Sequence, residues 1–204
     1  MKIPYKASGM ALSFLLFLSA SAQAGTVVYS TILSASAEAD PTNASTGTGT
    51  ATFTFDNSTN MLSLSVMFSG LTGLTTVSHI HAVTAAAFSG NAGVATQVPT
   101  FSGFPAGVMS GNYNSSFDLD EASSYNPSFL NNATNGGSTT VARNTLLSAM
   151  EGGNAYLNIH TDYKTAGEIR GYISRVPDSG STLALMIPAV LMAIGLTYRQ
   201  RRQS

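Results

Sequence analysis

The stretch Thr50-Ala51-Thr52-Phe53-Thr54-Phe55-Asp56-Asn57-Ser58-Thr59-Asn60-Met61-Leu62-Ser63-Leu64-Ser65-Val66-Met67-Phe68 decides the fold class. Its two halves alternate with a period of two. Phe53 and Phe55 fall on one face with Thr52 and Thr54 on the other, and Leu62, Leu64, Val66 and Phe68 repeat the pattern. Alternation of this kind marks half-buried strands. Asp56 to Asn60 is a turn-forming run, so the two strands form a hairpin.

Outward from this hairpin the same signals recur. Thr26 to Leu33 is a β-branched run, and Asp40 to Gly49 is a Pro/Thr/Gly loop. Val77 to Val83 reads as a strand, Phe88 to Gly107 as a Gly/Pro-rich excursion with a short strand near Val94 to Val98, and Val108 to Leu119 as another strand. Tyr125 to Thr139 is a polar insertion. Thr140 to Glu151 is expected to be the only helix, with Leu146, Leu147 and Met150 on its apolar stripe and Gly152-Gly153 ending it. Asn154 to Thr161 and Glu168 to Ser174 close the domain as a hairpin. Seven or eight short strands with one short helix predict a mainly β fold, a Greek-key sandwich or barrel.

Both ends of the chain read as processing signals, leaving residues 25–175 as the domain. Lys2 and Lys6, the apolar run from Met10 to Leu18 and the small-x-small site Ala22-Gln23-Ala24 make residues 1–24 a secretory signal peptide, the substrate of signal peptidase. At the other end, Val176-Pro177-Asp178-Ser179-Gly180 precedes an uncharged apolar segment and then Arg199, Arg201 and Arg202. An apolar helix with a basic end fits a single membrane crossing with its C-terminus in the cytoplasm. Residues 176–204 resemble the PEP-CTERM sorting signals of Gram-negative bacteria, in the variant named for its VPDSG motif. The resemblance implies processing by an exosortase and transient anchoring in the inner membrane. The product is then expected in the cell envelope or outside the cell, in contact with exopolysaccharide or the cell surface.

Over residues 25–178, the expected processed product, the charge is unbalanced. All ten acidic residues lie from Glu38 to Asp178 against four basic ones, Arg143, Lys164, Arg170 and Arg175, a net −6. A nucleic-acid footprint is therefore absent. The chain has no cysteine, which excludes disulfides, thiolate metal sites and a cysteine nucleophile. No Gly-x-Ser-x-Gly elbow and no phosphate-binding glycine loop occurs, and Asp118-Leu119-Asp120-Glu121 lacks the spacing of a calcium loop. No catalytic residue is assigned.

The chain has three histidines, in two places: Ser78-His79-Ile80-His81 and Asn158-Ile159-His160-Thr161. If Ile80 and Ile159 face the core, strand alternation puts His79, His81 and His160 on the opposite face. Tyr156, Asn158, Glu168 and Arg170 share it. A His-x-His pair on a strand with a third histidine nearby suits one Cu or Zn ion. Glu168, Arg170, Asn158 and Tyr156 would then orient the ligands. The competing reading is a structural network in which the same side chains hydrogen-bond across the sheet.

His79-Ile80-His81, the helix ending at Gly152-Gly153, and Ala155-Tyr156-Leu157-Asn158-Ile159-His160-Thr161 with Gly167-Glu168-Ile169-Arg170-Gly171 resemble the CHRD domain, over about residues 26 to 174. The chain departs from the family pattern at Ala82, where Gly is usual, at Thr165-Ala166, where Pro-Gly-Gly-Glu becomes Thr-Ala-Gly-Glu, and in the insertion near Tyr125. The resemblance implies an exported β module of no established enzymatic activity, expected to act as a non-catalytic binding or structural component. The alternative reading is a mononuclear metal-binding or redox protein. The His-x-His pair in an exported β fold is also similar to copper/zinc superoxide dismutase. Three histidines cannot furnish its two metal sites, and its disulfide is missing, so dismutation is not expected and a single mononuclear site stays open.

Overall fold

A computed structural model describes residues 25–177. The expected signal peptide and all of the tail beyond Pro177 lie outside the described residues, as do the apolar segment and Arg199, Arg201 and Arg202. Among the described residues no helix is long and apolar enough to cross a membrane.

Eight strands form one curled antiparallel sheet: β1 (Thr26–Ser34), β2 (Thr48–Asp56), β3 (Met61–Ser69), β4 (Thr75–Ala82), β5 (Gly111–Asp118), β6 (Ala155–Thr161), β7 (Ile169–Tyr172) and β8 (Ser174–Arg175). The spatial order is β4-β6-β7-β1-β2-β3-β5, with β8 also on β1. The β2–β3 hairpin pairs in the expected register, Phe53 opposite Leu64 and Phe55 opposite Leu62. Strand β4 does not stay beside β3. It crosses to the far edge and pairs with β6, which separates the His-x-His pair from its chain neighbours and puts it beside His160. The expected sandwich or barrel thus takes the form of one continuous sheet curling around its own apolar face.

That face carries Leu33, Phe53, Leu62, Ile80, Leu157, Ile159, Ile169 and Ile173, all fully buried. Helix α2 (Thr139–Glu151) contributes Ala142, Leu146, Ala149 and Met150 to the same core. Its N-terminus is capped by Ser138, whose hydroxyl accepts from the Val141 amide. Gly153, at φ 71°, turns the chain out of the helix and into β6. Two expectations need correction. The polar insertion holds a second, one-turn helix, α1 (Pro127–Leu130), capped by Asn126. Val94 to Val98 is not a strand. It makes only isolated bridges, Val94 to His81 and Thr96 to Tyr125, because its contacts to β4 alternate between backbone and the Thr96 side chain.

Every residue of β6 is buried. Its apolar side lies on the core. Its polar side is covered by two loops, residues 91–101, which run along β4, and residues 162–167. Gly171 lets β7 approach β1: a Cβ there would meet Ile32 O at 2.2 Å.

Candidate metal centre

Cross-strand register builds the cluster. His79 lies opposite Asn158, His81 opposite Tyr156, and His160 opposite Val77. With Ile80 and Ile159 in the core, the three imidazoles emerge on the other side, under the two covering loops. All three are buried, at 5%, 8% and 9% exposure. Their ring centroids are 5.3 to 5.9 Å apart. One nitrogen from each ring lies within 4.8 Å of the other two.

The hydrogen bonds fix the state of each ring. His79 Nε2 is 2.6 Å from Pro99 O, His81 Nδ1 is 2.9 Å from Ala92 O, and His160 Nδ1 is 2.9 Å from Thr165 O. A carbonyl oxygen only accepts, so each of these nitrogens carries the proton and donates. The opposite nitrogens, His79 Nδ1, His81 Nε2 and His160 Nε2, are buried with no partner. In a neutral ring each of those atoms holds a lone pair. Burial lowers the pKa of all three histidines, that of His81 to about 4, so the rings stay neutral near neutral pH.

An ion at about 2.0–2.1 Å from three nitrogens needs them roughly 3.3–3.6 Å apart. The cluster therefore needs to close by about an ångström. It has the composition of a metal centre: neutral imidazoles, each held from behind by a fixed acceptor. A structural network leaves a different trace. Its members bond one another, whereas three buried acceptors left without donors each cost roughly 1–3 kcal/mol.

The surrounding residues divide. Tyr156 stacks flat on His81, with centroids 4.8 Å apart and planes 4° apart. The Arg170 guanidinium sits 4.8 Å from the Tyr156 ring and 5.5 Å from that of Tyr172. Arg170 donates to Ala37 O and to Asn91 Oδ1, and lies 3.7 Å from Glu38 Oε2. Asn158 packs against Gly167 beside Glu38 Oε1, and Asn158 Oδ1 and Glu38 Oε1 have no partner. Burial raises the Glu38 pKa to about 7, with Arg170 opposing. Glu38, Asn91, Tyr156, Asn158 and Arg170 line a cavity of about 560 Å³ that reaches His81.

Glu168 is drawn elsewhere. Its carboxylate accepts from Ser45 Oγ, Thr161 Oγ1 and the amides of Thr72 and Gly73, and none of these bonds involves a histidine. It ties β7 to the turn before β4 and to the loop before β2. Sequence reasoning missed Glu38, which lies far from the histidine motifs in the chain. It also missed the three carbonyl acceptors, which leave no signal in residue type. Val176 and Pro177 are exposed at the end of the domain, where the Val176 amide donates to Val28 O.

The chain matches the CHRD domain over residues 29–173, a span that covers both histidine motifs and, apart from the first three residues of β1, all the strands from β1 to β7; β8 lies just beyond it. It belongs to the CHRD family. No curated protein and no solved structure matches it.

Proposed function

We propose that this CHRD protein is an exported, non-catalytic binding module that holds one Cu or Zn ion through His79, His81 and His160. The observation that carries the reading is the set of three buried, neutral imidazoles. Each is fixed by a backbone carbonyl on one nitrogen and has no partner on the other. Export by signal peptidase, exosortase processing at Val176 to Gly180 and release to the envelope or extracellular matrix belong to the same proposal.

Elemental analysis of the protein purified after export, re-equilibrated with Zn and with copper in both oxidation states, tests it. About one metal per chain is expected, lost in His81→Ala while the circular-dichroism spectrum stays that of a folded β protein. A folded wild type that retains neither metal would retire the metal centre.

A second reading concerns the partner. The outward face of β1, β2, β3 and β5 carries rows without charge: Ser30, Thr52, Ser65 and Asn114 in one, Ile32, Thr50, Met67 and Asn112 in the next. An uncharged, hydroxyl-rich sheet face favours a neutral polysaccharide over a charged partner. Saturable binding to host exopolysaccharide is expected, insensitive to chelator and abolished by Thr52→Glu with Ser65→Glu.

A further inference from the structure

Charge and coordination number narrow the ion. The described residues bring three ligands together and no carboxylate joins them; the chain has no cysteine. The donor set therefore carries no negative charge. The nearest fixed charge reached through ring contacts is positive: Arg170 lies on Tyr156, and Tyr156 lies on His81. Glu38, the carboxylate nearest that cation, already faces it.

The three free nitrogens are also sealed from water. The self-energy of a buried ion grows with the square of its charge, so a divalent ion loses roughly four times as much on desolvation as a monovalent one. Here nothing anionic offsets that loss. Zn²⁺ also asks for a fourth ligand, and Cu²⁺ for a tetragonal set. The cluster offers only three buried, neutral nitrogens.

Resting on the metal reading above, we infer that the centre is selective for a monovalent d¹⁰ ion, Cu(I), held by His79, His81 and His160 in three-coordinate geometry. Binding involves no electron transfer, and the ion enters and leaves as Cu(I). The cavity beside Glu38 and Arg170 reaches His81, and the carbonyls of Pro99 and Ala92 hold the rings of His79 and His81 in place. The site therefore stores or carries Cu(I) in a compartment where the free ion oxidises.

The test is an anaerobic competition titration of the protein purified from its exported form, with Cu(I), Ag(I), Zn(II) and Cu(II), together with X-ray absorption of the copper-loaded protein. One Cu(I) per chain is expected, with three nitrogen scatterers and displacement by Ag(I). Zn(II) and Cu(II) are expected to bind at least a hundredfold more weakly. His79→Ala and the milder His160→Gln should each remove the bound ion. Tight binding of Zn(II) or Cu(II), or a four-coordinate copper spectrum, would overturn the inference and leave the metal centre standing. Retention of none of the four ions would overturn both.

Discussion

Replacing Glu168 by Gln separates a fold-holding carboxylate from one that serves the metal. The side chain is fully buried, and each carboxylate oxygen accepts two hydrogen bonds. Oε1 takes Ser45 Oγ at 2.5 Å and the Thr72 amide at 2.5 Å; Oε2 takes Thr161 Oγ1 at 2.6 Å and the Gly73 amide at 3.0 Å. Gln keeps the shape and turns one oxygen into an NH₂. A hydroxyl can rotate to accept from it. A backbone N–H cannot, so either orientation of the amide sets one donor against another. The variant loses at least one charge-assisted bond, about 1.5–3 kcal/mol, and weakens the remainder. A total near 3 kcal/mol is expected, a large part of a stability of about 5–15 kcal/mol. Urea unfolding should show it as a midpoint lowered by about 1–2 M at unchanged slope. Burial raises the Glu168 pKa, but the four hydrogen bonds outweigh it and hold the group below the ordinary value. Its contribution is therefore present above about pH 4.5 and lost as pH falls through the folded value, so the gap between variant and wild type should close in acid. Metal content should not change. A loss below about 1 kcal/mol at pH 7, or a folded variant without metal, would refute the assignment.

The three buried histidines have folded pKa values below the unfolded value of about 6.5, so the unfolded chain binds more protons beneath it. In the metal-free protein the histidines' contribution should be full above pH 6.5 and be lost as pH falls towards 4, read from urea midpoints against pH. Glu38 acts in the opposite sense: its raised pKa costs stability as pH rises from about 4.5 through 7, so Glu38→Gln should flatten the neutral limb of the same curve. Gly171→Ala would drive a Cβ into Ile32 O at 2.2 Å and prise β7 from β1, and little soluble folded protein is expected on expression. Tyr156→Phe keeps the stack on His81 and removes the hydroxyl contacts of 3.3 and 3.4 Å to Ala92 and the hydroxyl's interaction with Arg170. Its melting temperature should lie within a few degrees of wild type.

What the sequence revealed follows the range of the interactions involved. Alternation at Phe53, Phe55, Leu62 and Leu64 is local, and it placed the hairpin and its register. The ending of α2 at Gly152-Gly153 is equally local. The crossing of β4 to β6 is not, since it depends on contacts between residues about 80 apart, yet the paired faces of Ile80 and Ile159 already set the three histidines on one side. The rest was hidden for two reasons. Glu168 precedes β7, and strand alternation does not govern its side chain; it turns to Thr161 and the amides before β4 instead of joining His160. The loops over the polar face hold the rings with main-chain carbonyls, and every residue type has one of those.

Those loops also explain why a polar sheet face is buried. An exposed cluster of three imidazoles would protonate near pH 6.5 and exchange its ion freely with solvent. Covering it with residues 91–101 and 162–167 fixes which nitrogen of each ring bears the proton and excludes water from the others. The cover has a cost, three acceptors buried without donors, and the apo protein bears that cost in full. An ion that satisfies all three at once should therefore bind the folded state alone and stabilise it. Binding linkage makes this measurable: at a thousandfold excess over its dissociation constant the ion should add about 4 kcal/mol to unfolding stability. The same increment should be absent in His160→Gln. Equal stabilisation of that variant would mean that the ion binds outside the cluster, and that the three unpartnered nitrogens are not its ligands.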